Sequence, residues 1–556
     1  MWQCLNRRLG QHLFLLVVCG LLFLPSLGTA NLWDMDEGNY AEAAREMLLS
    51  GDWIVPTFNF KIFIDKPPLM YWSQAVSYRL LGVSEFAARL PSALACIASV
   101  LLTYELGRRM FSPHTGLLAG LVLASTLAVG VAAQFANPDG ILLACALVTM
   151  LVFWSSYASG SRNWLWLCGL STGLGWMTKG PIGLVLPGTA IFLFLMWDGG
   201  WRQLLDRRLL LGILLFLMVT APWHILVGVS TDWEYLRVFY LKHNVQRFQQ
   251  AFESHSGPVY YYLGVVLVGL GPWVVFLVPT CWFGLGRRAC GDGTDPAPNV
   301  ETATRHDISR YRFLWAWIAV HMVFFSVART KLPNYVLAVY PALALLIARF
   351  LERWRSGALA VPRWLMPGAF VLLAMLALLT LAGCLIAGGV IGLAEFHDRL
   401  EGMEWCATAA AALGLAAIMG VRFCTRQRRT AVVVSVTALV VLNLGTALCI
   451  ANPVFNRHRA PAALVGAIPA AGHPQVRVAS YEYFQQSLVF YSGRHVQQLD
   501  NVQQLIDFLA DSREGYVFLT ADAWRAVQAQ LPSTVRRLHA VRDFLDRHEI
   551  LVIGNR

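Results

Sequence analysis

Residues 364–392 read WLMPGAFVLLAMLALLTLAGCLIAGGVIG, without one charged side chain. A helix of about 20 mostly apolar residues crosses a bilayer, so this stretch predicts a membrane span. Working outward, twelve more segments predict spans: 11–28, 87–107, 114–133, 140–158, 163–178, 181–197, 208–228, 258–284, 312–328, 333–350, 403–421 and 431–451. The whole composition agrees. Of 556 residues, 57% are hydrophobic and 14% charged, against roughly a quarter charged in a soluble domain. Lipid solvates most of such a chain.

The net charge of +11 does not point to nucleic acid, because the arginines stand in short clusters between apolar runs. With the N-terminus inside, the inner loops carry Arg108-Arg109, Arg162, Arg202 with Arg207-Arg208, Arg287-Arg288 through Arg312, Arg353 with Arg355, and Arg426 with Arg428-Arg429. Each inner loop is basic, as the positive-inside rule requires, and thirteen spans put the C-terminus outside. Arg7 and Arg8 before Leu13–Leu24 also fit a signal peptide; the later spans favour its retention as a first helix. The eleven cysteines include no CxxC pair and mostly lie in apolar runs, which leaves neither a disulfide framework nor a thiolate metal site.

Lysine is used differently from arginine. Of 44 basic residues, only Lys61, Lys66, Lys179, Lys242 and Lys331 are lysines, and all five fall on the predicted outer face. Chance and topology bias are one explanation; a need for compact ammonium groups, for instance against phosphate, is the other. The tail, 452–556, is more polar. Val476–Ser480, Tyr516–Thr520 and Glu549–Ile553 read as strands, and Val502–Leu509 and Ala521–Gln530 as helices. That alternation predicts a small α/β domain, separate from a transmembrane domain 1–451 whose loop 29–86 carries the main motif.

That loop begins Leu32-Trp-Asp-Met-Asp-Glu-Gly-Asn-Tyr-Ala-Glu42. Three acids beside a membrane must be solvated, paired or used. Asp34 or Asp36 can cap a helix beginning near Ala41, or a carboxylate here can serve chemistry. Farther along, Lys66 precedes Pro67-Pro68. The prolines extend the backbone and set an ammonium at the membrane surface, either to hold a phosphate or to snorkel. Trp53, Tyr71 and Trp72 fit an interfacial aromatic belt. Snorkelling is an equal reading for Lys179 and Lys331 at span ends.

The pattern W-D-x-D-E-x-x-Y-A-E-x-A-R-E-M-L-x-S-G-D-W-I-V-P from Trp33 to Pro56, followed by the Lys66 arm, resembles the lipid A aminoarabinose transferases of Gram-negative bacteria. These sit in the membrane glycosyltransferase class that includes the dolichyl-phosphate-mannose protein mannosyltransferases. Asn137-Pro-Asp139, Met177-Thr-Lys-Gly-Pro181, His243–Phe248 and Lys331-Leu-Pro-Asn-Tyr335 extend the likeness over nearly the whole chain. It implies a GT-C type polytopic α-helical membrane protein of about 13 transmembrane helices with a small C-terminal α/β periplasmic domain. It implies transfer of 4-amino-4-deoxy-L-arabinose from undecaprenyl phosphate to lipid A, at the periplasmic face of the bacterial inner membrane, giving resistance to polymyxin and other cationic peptides.

The likeness also implies roles. Asp36, Glu37 and Asp139 take the catalytic acidic positions. Lys66, Arg247, Tyr335, Tyr40 and Lys331 take substrate and phosphate contacts. Asp65 and His243 take the positions of a zinc pair. Asp65 stands where the family usually has glutamate, and Asn39 where it often has arginine. No GxGxxG or Walker loop occurs, so the donor bond must carry the energy and no nucleotide is expected. A related transferase acting on another glycan or on protein is the alternative. A transporter is the third reading, disfavoured because charge gathers at one interface rather than at the midplane of the spans.

Overall fold

The computed structural model describes residues 8–34, 36–160, 165–249, 256–284, 300–391, 400–424, 428–456, 460–468, 476–542 and 549–555. Arg7, Arg162, Arg287, Arg288 and Arg426 of the expected inner loops lie outside them. The chain divides into two compact units: Met1–Ser26, Asp65–Leu69 and Pro91–Ala451 form one, and Leu27–Ile64, Met70–Leu90 and Asn452–Arg556 the other.

The first unit is helical and apolar, and the chain is a polytopic helical membrane protein. Among the described residues, seven helices are long and apolar enough to cross a membrane: Glu85–Met110, Asp139–Ser159, Arg208–Ser230, Pro333–Ser356, Leu365–Ala387, Met403–Arg422 and Arg429–Ile450. Arg8–Phe23 and Ile182–Asp198 are apolar but shorter.

Two expected spans are not straight. Segment 114–133 is helix Pro113–Ala124 followed by Leu127–Ala133, bent by 64°. At the break the hydroxyls of Ser125 and Thr126 donate to the carbonyls of Leu121 and Val122, at 2.6 and 2.7 Å, a local competition that ends or bends helices. Segment 258–284 breaks more sharply, by 111° between Tyr261–Gly269 and Gly271–Gly284. Gly271 has φ 58° and Pro272 follows it, so the helical ladder cannot continue.

Helices Leu165–Lys179 and Ile182–Asp198 are joined by only Gly180-Pro181. Small residues let them approach: a Cβ on Gly183 would lie 2.2 Å from the carbonyl carbon of Gly175. Such glycine contacts are how membrane helices pack without a hydrophobic drive between them. Gly180 itself has φ 75°, and a Cβ there would stand 2.6 Å from Phe239 Cζ.

The second unit holds a five-stranded sheet. Its strands follow hairpin strands β1 (Thr57–Phe58) and β2 (Lys61–Ile62): β3 (Arg477–Tyr481), β4 (Val496–Leu499), β5 (Gly515–Thr520), β6 (Arg536–Arg542) and β7 (Glu549–Gly554). The order is β4-β3-β5-β7-β6. β3 pairs parallel with β4 and β5, with Val478 opposite Val496 and Tyr516; β7 runs antiparallel to β5 and β6. Tyr516 and Phe518 of β5 enter one apolar core with Val478 and Leu488. Val517 and Leu519 enter the other, with Phe508 and Leu551. Burial on both faces explains why these central strands read as continuous apolar runs.

β4, β6 and helix Gln486–Ser492 are among the described elements with no counterpart in the sequence expectations. β6, Arg536-Arg-Leu-His-Ala-Val-Arg542, is a charged edge strand, and edge charges conceal the period of two. First-loop residues also group with the tail rather than with 1–451. Asp34 Oδ1 accepts from the Ser487 N–H at 2.9 Å. Asn59 pairs with the backbone of Val496 through both its amide atoms, at 2.9 Å each. These partners are over four hundred residues apart in the chain, so no local pattern announces them.

Candidate functional site

In the first unit four short segments surround one cavity of about 400 Å³. The Asp65–Leu69 arm supplies Lys66. The end of helix Leu165–Lys179 supplies Lys179. A π-helical turn, Leu241–Gln246, brings His243 and, just after it, Arg247. The 3₁₀ turn Pro333–Val339 brings Tyr335. All five line the cavity, beside apolar Phe239, Val185, Phe324 and Phe325.

Several of these groups are held. The Tyr235 hydroxyl donates to the Lys66 carbonyl at 2.8 Å, which pins the proline arm. Lys66 is 7% exposed, and its ammonium donates to Asp65 Oδ1 at 2.7 Å. Burial pushes the Asp65 carboxyl up, but the Lys66 charge and the His243 hydrogen bond outweigh it and hold Asp65 well below the usual carboxylate range. Lys179 bonds Asp139 Oδ1 and lies 5.0 Å above the Tyr335 ring. Asn334 donates to the other oxygen of Asp139. The Asn244 side chain ties its π-turn to the Phe239 carbonyl at 2.8 Å. Three cations, Lys66, Lys179 and Arg247, thus border a cavity that is otherwise largely apolar. Such a site suits a phosphate carrying a hydrocarbon.

Other expected site residues stand elsewhere. Asp139 is buried behind Lys179, lining a smaller cavity; it holds a cation rather than bordering the large space. Lys331, expected at phosphate, donates to the carbonyls of Phe325 and Ser326 at 2.9 and 2.6 Å. It therefore caps the C-terminal end of helix Val300–Val327, where a cation complements the dipole. Asn334 and Asn244 lie inside or beside the motifs without being expected in the site, and nothing in their spacing marks them; Lys179, for which snorkelling was an equal reading, lines the cavity.

The remaining candidates belong to the second unit. Asp36 opens helix Asp36–Ser50 and is exposed. Glu37 beside it is fully buried and forms a two-pronged pair with Arg89, both contacts 2.9 Å. Arg89 also donates to the carbonyls of Leu27, Ala30 and Asn31 at 2.8, 2.6 and 2.8 Å. Glu37 accepts in addition from the Trp33 N–H at 2.8 Å. Its carboxylate is spent on shaping residues 27–37, a structural duty rather than the expected catalytic one. Tyr40 is buried, its ring 5.9 Å from that of Tyr71. Tyr71 is wholly buried too, which removes it from the expected interfacial belt.

The zinc pair can be tested on spacing. Two donors each about 2.1 Å from a tetrahedral ion stand about 3.4 Å apart. His243 Nδ1 and Asp65 Oδ1 are 3.4 Å apart, so the pair has the right bite. Among the described residues no group of three or more His, Cys, Asp or Glu could hold a metal, so other donors would have to come from a ligand. Any zinc held here, read by elemental analysis of protein purified with undecaprenyl phosphate, should be lost in Asp65→Ala with His243→Ala. Equal metal content in both would remove the site.

The fold is shared with a solved membrane protein. A solved structure of ArnT from Cupriavidus metallidurans, bound to undecaprenyl phosphate, superposes with a TM-score of 0.81 over 99% of both chains at 22% identity. Residues 65–226 match the family model described as dolichyl-phosphate-mannose-protein mannosyltransferase.

Particular relatives carry the likeness further. The undecaprenyl phosphate-alpha-4-amino-4-deoxy-L-arabinose arabinosyl transferase of Edwardsiella ictaluri is 31% identical over 352 residues, covering 62% of this chain and 60% of that protein. The protein of the same name from Erwinia tasmaniensis is 33% identical over 339 residues, covering 59% and 57%. The matched region thus spans about three fifths of these relatives' length.

Proposed function

We propose that this chain is an integral-membrane glycosyltransferase that moves 4-amino-4-deoxy-L-arabinose from undecaprenyl phosphate to lipid A. The observation that carries the reading is the cavity bordered by Lys66, Lys179 and Arg247 against an apolar wall. The likeness to transferases named for that donor supports the sugar and the carrier. In this reading thirteen helices cross the inner membrane of a bacterium, and the site and C-terminus face the periplasm.

Breaking the sugar–phosphate bond develops positive charge on the sugar and negative charge on the departing phosphate. Lys66 and Arg247 meet the second, with Lys179 and the Tyr335 hydroxyl beside them, and preformed charges in a dry site act strongly. Asp139 keeps Lys179 in place. By the resemblance, Asp36 orients the acceptor or the sugar's amino group, or stabilises the positive sugar. A lipid A phosphate is already ionised and attacks without a base; a serine or threonine hydroxyl would need one. Asp65 and His243 would hold zinc together with ligand oxygens. When bound, the ion would add positive charge beside the leaving phosphate.

The test is transfer in proteoliposomes from the synthetic donor to lipid A, read by mass spectrometry. Wild type adds one aminoarabinose to lipid A. Asp36→Asn lowers turnover on the order of 100-fold while the affinity for undecaprenyl phosphate stays within about threefold of wild type. Transfer to a peptide or another glycan instead would replace the acceptor in this reading, and no transfer from the donor would end it.

A further inference from the structure

Behind Lys179 and Tyr335 lies a second cavity of about 20 Å³. Lys179 and Tyr335 border both spaces. The polar lining of the small one is Asp139, Lys179, His321, Asn334 and Tyr335. His321 is 1% exposed and sits in helix Val300–Val327. An ionisable group buried within the predicted span 312–328 is rare and costly enough to call for a reason. Its Nδ1 lies 2.9 Å from the Trp317 carbonyl. A carbonyl only accepts, so Nδ1 carries the proton. The neutral ring then keeps a lone pair on Nε2, its distal nitrogen.

We infer that His321 is a positioning residue: its Nε2 holds one buried water in this cavity, and water and Asp139 together fix the Lys179 ammonium. The space admits a water, which needs roughly 10–15 Å³ and two to four polar partners. The partners are at hand. The water donates to His321 Nε2 and to the Asp139 carboxylate, and accepts from Lys179 or Asn334. The consequence for the large cavity rests on the reading above, that Lys179 meets phosphate there. The water itself does not.

Two variants of the full-length protein separate these. His321→Phe removes the acceptor and fills the space; His321→Gln returns an acceptor near the place of Nε2. Undecaprenyl phosphate, titrated against detergent-solubilised protein, should bind about 10-fold more weakly to the phenylalanine variant, the size of one lost polar contact. The glutamine variant should stay within about threefold of wild type. Phenylalanine binding within threefold of wild type, or glutamine no better than phenylalanine, overturns the inference. Should wild type fail to bind undecaprenyl phosphate at all, the proposed function falls, and a high-resolution map decides the inference alone. A water between His321 and Asp139 supports it, and a dry cavity overturns it.

Discussion

Replacing Lys66 by arginine is expected to lower sugar transfer on the order of 100-fold while the protein still inserts and folds. The substitution keeps the charge and changes its shape. Lys66 is 7% exposed, its carbonyl is fixed by Tyr235, and its ammonium is 2.7 Å from Asp65. A planar fork on a longer stem cannot occupy that point, and a misplacement near 1 Å costs about this much. A lysine that only snorkelled would tolerate the exchange, because arginine snorkels equally well. Lys61, on strand β2 and exposed, is the control and should be nearly silent as Lys61→Arg. Transfer rate and undecaprenyl phosphate affinity, measured on both variants, check the prediction. Normal activity in Lys66→Arg would remove that residue from the phosphate site.

The largest stability loss is expected from Glu37→Ala. It leaves the Arg89 guanidinium buried, at 1% exposure, with only carbonyl partners among its described contacts. Breaking a buried pair from one side costs roughly 3–5 kcal/mol, because the remaining charge has lost its counter-ion far from water. Thermal unfolding of the purified protein should show the loss as a clearly lowered midpoint. Asp36→Asn, one residue away but exposed, should leave the midpoint unchanged. If Glu37→Ala unfolds like wild type, the pair does not shape the loop as described.

Those two neighbours also show what the sequence could and could not disclose. Asp36 and Glu37 look alike in the motif. Only the fold separates them, since the partner of Glu37 lies 52 residues farther on. The two motif lysines, Lys66 and Lys331, part company in the same way. One borders the cavity and the other closes a helix end. The membrane class was legible because lipid demands long uncharged runs. The breaks at Ser125 and Gly271 were not, because hydropathy averages over them. The central strands of the second unit were legible from burial on both faces, whereas β6 hid behind its arginines. His321 carries a signal of its own in the sequence: a histidine inside the apolar stretch Ala319-Val-His-Met-Val323.

The π-helical turn Leu241–Gln246 has a consequence for comparing relatives. It amounts to one residue inserted into an ordinary helix, and each residue in a helix turns the chain by about 100°. Everything after it, Arg247 included, is rotated by that angle relative to Phe239. A relative lacking the extra residue would aim the side chain one position earlier at the same space. Alignments of this segment therefore need a gap placed inside a helix, where gap penalties most oppose one. Without it, an ungapped match will assign the arginine's duty to the wrong neighbour.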